Sequence, residues 1–175
     1  MIKKIILAIV LMLVVAGGVL FAINGKDTYE ADKFSAKVSD GLNIGSEISF
    51  TIPDQFDKPH SLTRDTKILI LAFAKDTGHT VKHFLSQKDK NYLPSKNALF
   101  IADISPMPTV IRNTFALPDL KKSAYSVLLI YDKNIASKLK NEAQADKIAV
   151  VSLDNSIVKN VVYITNEDEL TEALN

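Results

Sequence analysis

The sequence predicts an α/β domain behind a single N-terminal membrane-crossing helix, and three observations carry that reading. Nineteen consecutive uncharged residues, Ile5 to Ile23, follow the pair Lys3 and Lys4. After Gly45 the hydrophobic pattern switches repeatedly between strand-like and helix-like stretches, the mark of a sheet covered by helices. One stretch, Lys67 to Ala74, is apolar without alternation, so both faces of that strand should be buried and it should lie in the middle of the sheet.

At ~1.5 Å per residue the N-terminal run is long enough to cross a ~30 Å hydrocarbon layer. Two positive charges in front of it hold the N-terminus inside, so the chain after Asn24 should be delivered to the far side of an inner membrane. Two fates of the segment remain open. Ala16, Gly17 and Gly18 offer a small-x-small cleavage site, which would make the run a signal peptide and the domain a secreted one. Val19, Leu20, Phe21, Ala22 and Ile23 continue the apolar run past the glycines and favour an uncleaved single-pass anchor. Residues 1–23 are therefore a signal or anchor helix, residues 24–43 read as a polar tether, and residues 44–175 as the folded domain.

Within the domain, buried strands are expected at Lys67–Ala74, Ala98–Asp103, Val127–Tyr131 and Ile148–Leu153. Helices are expected at His79–Gln87, at Thr109–Ala116 between Pro108 and Pro118, and at Asn134–Ala145, where Ile135, Ala136, Leu139 and Ala143 recur at helical spacing. Leu153 to Ile157 places turn residues between two β-rich runs, a hairpin signal. Thr165 or Asn166 should cap a last helix, Glu167–Leu174, whose first turn carries three acids where the helix dipole favours them. The order is strand, central strand, helix, strand, helix, strand, helix, hairpin, helix.

Composition removes several function classes. There is no cysteine and no tryptophan among the 175 residues, with 47% hydrophobic and 23% charged content. Without a thiol the chain cannot run thiol redox chemistry, form a disulfide, hold a thiolate metal site or accept lipid on cysteine. The net charge of +1 becomes −1 once Lys3 and Lys4 are set aside, and the densest basic pairs, Lys88 with Lys90 and Lys121 with Lys122, stand beside acids. No nucleic acid is expected as a partner.

Two segments resemble the thioredoxin-like superfamily, in particular its exported thiol-disulfide and peroxiredoxin-type branch. The first runs from Phe50 through Pro53, Asp54 and Pro59 to Ser61 and Leu62, directly ahead of the central strand. The second, Lys147 to Lys159 and on through Asn166 to Leu174, is similar to the family's closing hairpin and last helix. The resemblance covers about residues 44 to 174. It implies a three-layer fold in which a central mixed sheet is flanked by helices, and a substrate face formed by Asp76, Thr77, Gly78, His79, Thr80 and Val81 with Pro106, Pro108 and Thr109.

The departures from the family are chemical. Where active relatives place Cys-x-x-Cys, this chain has Gly78 and Val81, and where they carry a cis-proline before the hairpin it has Ala145 to Ile148. Thioredoxin, peroxidase and isomerase activities are therefore not carried over. The resemblance implies a cysteine-free, non-catalytic member that needs no cofactor.

Other candidate residues have plainer readings beside the chemical ones. Gly78 at a strand-to-helix turn could present free amides to an anion, or simply serve the turn. His79 and His83, four apart on a helix with Asp76 just before, could share a zinc or copper ion, or be two solvent-facing histidines; Thr80 stands where a zinc protease would need glutamate. His60 lies apart from them, Asp54 and Asp57 flank a turn as aspartates ordinarily do, and no Ser-His-Asp set can be assembled by spacing. The leading expectation is an envelope protein's binding module, bound to the membrane through residues 5–23. The alternative is a metal or small-anion binder using Asp76, His79 and His83, and a third class, an enzyme of unfamiliar chemistry, needs a perturbed acid or base in a pocket.

Overall fold

The computed structural model describes residues 2–175. Helix α1 (Ile2–Asn24) contains the expected apolar run, is long and apolar enough to cross a membrane, and buries none of its residues against the rest of the chain. Strands β1 (Ser35–Val38), β2 (Ile48–Pro53) and β3 (Pro59–Ser61) form a small antiparallel sheet in that order. The main sheet has five strands, ordered β6 (Val127–Ile130), β5 (Ala98–Asp103), β4 (Ile68–Ala72), β7 (Ile148–Asp154) and β8 (Ile157–Ile164). β4, β5 and β6 run parallel, and β7 and β8 return antiparallel.

β4 is central, as its unbroken apolar run implies. Leu69 and Leu71 face one side, where β2 and α6 (Lys133–Leu139) close the core with Ile48, Ile52 and Leu139. Ile70 faces the other, against Val81, Phe84 and Leu85 of α2 (Lys75–Ser86) and Leu170 of α7 (Glu167–Ala173). The spacing of those three α2 residues is that of one helical face, which is why α2 lies flat on the sheet. The layer over the first face is thus part sheet and part helix. A short helix, α3 (Tyr92–Ser95), leads into β5.

The hairpin between β7 and β8 turns at Asn155 and Ser156, both with positive φ (50° and 67°), the backbone that a two-residue turn between twisted strands requires. Asn166 caps α7 by accepting the Glu169 N–H at 2.9 Å.

Three expectations need correction. Residues 24–43 are not a free tether. Ala31–Lys33 is a 3-10 turn, β1 pairs with β2, and Tyr29 stacks on Tyr131 with ring centroids 4.7 Å apart. The polar composition hid one alternating strand and one aromatic that finds a partner far along the chain. The helix expected over Thr109–Ala116 also runs on: α4 (Thr109–Ile111) passes through a π turn (Arg112–Ala116) into α5 (Leu117–Leu120), with Pro118 inside. The wider π turn relieves the clash that a proline ring makes with the carbonyl one turn back. The helix over 134–145 is shorter than expected, ending at Leu139, with a 3-10 turn at Glu142–Gln144.

Candidate functional site

The end of β4 delivers Ala72 and Phe73 to the N-terminus of α2, where the resemblance would put a redox pair. Ala74 is the N-cap in extended conformation. Thr77 is buried and closes the first turn: its hydroxyl donates to the Ala74 carbonyl at 2.8 Å and accepts the Ala74 N–H at 3.2 Å. This side-chain clasp starts the helix four residues ahead of the expected His79, with Asp76 in the dipole-favoured first turn.

Gly78 therefore lies inside α2 and not at a strand-to-helix turn. Its N–H donates to the Ala74 carbonyl at 3.0 Å, so that amide is not offered to an anion, and the positive-φ glycines are Gly41 and Gly45. What Gly78 does provide is room. A Cβ built there meets nothing within 4 Å, because the position faces a groove.

That groove brings together the two segments singled out in the sequence. One wall is the α2 face carrying Lys75, Gly78, His79 and Lys82; the floor is the end of β5 at Ala102, Asp103 and Ile104; Met107, Ala116 and Asp119 stand opposite. It widens to about 750 Å³ between Phe73, Lys75 and His79 on one side and Pro106, Pro108, Ile111 and Phe115 on the other. Of the residues expected on this face, Gly78, His79, Pro106 and Pro108 line the groove. Asp76, Thr80 and Thr109 do not, and Thr77 and Val81 are turned into the protein, with Val81 in the core against the sheet. Phe73, Lys75, Asp103, Ile111 and Phe115 escaped sequence reading; the apolar ones looked like ordinary strand and helix core.

The two walls are tied by an ion pair between Lys82 and Asp119, and the Tyr125 hydroxyl donates to the Lys82 carbonyl at 3.2 Å. The Lys82 hydrogen bond holds the Asp119 carboxyl below the usual carboxylate range. At the floor, burial pushes the Asp103 carboxyl up, outweighing the Ser105 N–H that donates to it at 2.9 Å.

The proposed metal set is not assembled. His83 is drawn to Glu167 of α7, Nδ1 to Oε1 at 2.5 Å, while His79 stays at the groove rim. Among the described residues no group of three or more His, Cys, Asp or Glu side chains could hold a metal ion. Helical spacing aligned the backbone positions, but the neighbouring helix claimed one ring. His60 pairs with buried Asp54, Nε2 to Oδ2 at 2.9 Å, and Asp54 also accepts the N–H groups of Phe56 and Lys58. This is a turn lock, in keeping with the plainer reading of that aspartate. Burial alone would raise the Asp54 carboxyl, yet these three donors hold it below the usual range.

On the far side of the 109–120 stretch, the chain leaving α1 is pinned to the domain. Arg112, 4% exposed, donates through Nη2 to Asp27 Oδ1 at 2.8 Å and lies 4.8 Å from the Tyr131 ring centroid. Burial pushes the Tyr131 hydroxyl up to about 12. Asn113 Nδ2 donates to the carbonyls of Asn24 and Lys26 at 2.9 and 3.1 Å.

No family model matches this sequence, and no curated protein matches it. Solved structures do. A peroxidoxin, BcpB, from Mycobacterium tuberculosis superposes with a TM-score of 0.51 at 16% identity over 75% of this chain and 93% of that one. A peroxiredoxin-like protein from Aquifex aeolicus gives 0.50 at 10% identity, over 81% and 96%. At these identities the likeness concerns the fold alone. The chain has the thioredoxin-like fold, with a mixed sheet between its two covering layers, and it has no cysteine.

Proposed function

We propose that this thioredoxin-like domain is a non-catalytic binding module of a cell envelope, anchored by α1, that holds a segment of another envelope protein in the groove between α2 and residues 106–119. The observation that carries the reading is the conversion of the redox end of the fold. The position that would carry thiols is part of a helix wall, and the space beside it is lined by Phe73, Pro106, Met107, Pro108, Ile111 and Phe115. A volume of about 750 Å³ lies in the range of roughly 300–1,000 Å³ that binds ligands. Lys75, His79, Asp103 and Asp119 at its edge supply the few polar contacts that would fix an extended segment in one register.

Anchoring, as opposed to cleavage at Gly18, is supported by the unbroken helix to Asn24 and by the docking of residues 24–29 on the domain. Cleavage would leave those docked residues without the helix that feeds them. Intact-mass measurement of the protein extracted from its own membranes should return a chain that retains residues 1–24.

The binding test uses a photo-crosslinking residue at position 107 in the full-length protein in native membranes. One stoichiometric protein adduct is expected, lost in Gly78→Leu, whose Cβ meets nothing within 4 Å and whose branch extends into the groove that Gly78 lines. An adduct pattern no stronger than background, or one unchanged by Gly78→Leu, refutes the groove as the binding site.

A further inference from the structure

We propose that Ile111 and Phe115 sit in the interfacial layer of the bilayer that α1 crosses, so that the groove opens along the membrane surface. The inference rests on the anchor reading of α1 given above. Asn24 is the residue directly after the apolar run, so at ~1.5 Å per residue its carbonyl lies within about 2 Å, along the helix axis, of the end of the hydrocarbon span. The headgroup layer adds roughly 5–8 Å on each side of that span. Asn113 reaches the Asn24 carbonyl directly, at 2.9 Å, which places the π turn at headgroup depth.

Ile111 and Phe115 flank Asn113 by two residues on the same helical stretch, and they are 47% and 63% exposed. Outside α1, large apolar side chains this exposed are few: Ile44, Phe56 and Val162 are the others above 40% or at it. Two of them, four residues apart beside the exit of a membrane helix, form the apolar edge of an interfacial helix, and an aromatic ring is favoured at that depth. The segment is also held there. Arg112–Asp27 and the Asn113 contacts fix the domain to the end of α1, so the rim cannot rotate away from the surface. A partner segment would then enter the groove from the plane of the membrane.

The chain has no tryptophan, so single substitutions report depth without background. Full-length Phe115→Trp, Leu13→Trp on α1 and Val162→Trp on β8, at the opposite edge of the main sheet, are each reconstituted in phosphatidylcholine–phosphatidylglycerol vesicles with lipids brominated near the headgroup or deep in the acyl chain. Leu13→Trp should be quenched most by deep bromines, Phe115→Trp by shallow ones with a blue-shifted emission, and Val162→Trp by neither. If Leu13→Trp is quenched and Phe115→Trp matches Val162→Trp, the rim stands in water and the inference falls while the anchor stands. If Leu13→Trp escapes quenching, the anchor reading itself fails and takes the inference with it. Phe115→Trp shielded from aqueous iodide yet untouched by bromolipid would mean a protein covers the rim, which also overturns it.

Discussion

Replacing Asp27 by alanine tests whether the juxtamembrane segment is held or hangs free. The Arg112 side chain is 5% exposed and the Asp27 side chain 51%. The substitution leaves a buried guanidinium with its aromatic contact to Tyr131 and no anion. Removing one partner of a fully buried pair costs about 3–5 kcal/mol. Half-exposure of Asp27 lets water and salt take over part of its role, which brings the expected cost down to about 1–2 kcal/mol. For a chain of this length that is a fall in Tm of roughly 2–8 °C. The assay is thermal and urea unfolding of the full-length protein in a mild detergent, with Arg112→Met as the second arm. Methionine fills a similar space without the charge, so Asp27→Ala in that background should cost little, leaving a coupling of about 1–2 kcal/mol in the double-mutant cycle. A single-mutant effect within about 0.3 kcal/mol of wild type, or no coupling, would show that the segment swings as a loose tether. The fixed orientation of the groove would fall with it.

Two further outcomes follow from side chains whose surroundings are explicit. Asp54 has a folded-state pKa below its ordinary 3.8, so the stability it contributes is complete above that value and disappears as pH falls below it through the folded-state pKa. Acid unfolding of Asp54→Asn should therefore flatten below about pH 4 relative to wild type; parallel curves would show that the Phe56, Lys58 and His60 contacts do not discriminate the ionised form. Gly78→Ala, inside α2 with open space at Cβ, should stabilise the domain by roughly 0.5–1 kcal/mol through helix propensity. Destabilisation on urea unfolding would mean the position needs a backbone that only glycine adopts.

The sheet was legible in the sequence because its signal is local. Lys67 to Ala74 showed β4 as central through the absence of alternation, and the acids after Asn166 marked the start of α7. What stayed hidden depends on long-range partners. Tyr29 reads as a polar-segment tyrosine until Tyr131 is brought under it, and Arg112 reads as a surface cation until Asp27 covers it. The start of α2 was misplaced because Ala74 is a poor N-cap by type, and the cap function comes from Thr77 reaching back three residues. The metal reading failed for a related reason: spacing put His79 and His83 in line, but Glu167, 84 residues beyond His83, was invisible to any local window. Four of the nine residues expected on one face, Gly78, His79, Pro106 and Pro108, do line the groove, because the start of α2 stands beside the loop after β5. Ile111 and Phe115 were missed because at helical spacing they look like core until a structure shows them uncovered.

The division of labour between core and groove decides how mutations here are to be interpreted. Thiol relatives use the N-terminus of this helix to stabilise a thiolate. In this chain the first turn is closed by Thr77, and with no cysteine there is no thiolate to house beside it. That frees the space between α2 and residues 106–119 to be apolar. Stability rests instead on two clusters either side of β4, where Leu69, Ile70 and Leu71 are fully buried, and truncating one of them should cost about 2–5 kcal/mol. Ile111 and Phe115, 47% and 63% exposed, support little of that core, so polar substitutions there should leave unfolding within about 0.5 kcal/mol of wild type. Loss of crosslinking in Ile111→Ser or Phe115→Ser, or of bromolipid quenching of Phe115→Trp once Ile111→Ser is added, with the unfolding curve unchanged, is then a property of the surface. A matching loss of stability would show that these side chains pack inward and that the groove is narrower than its walls indicate.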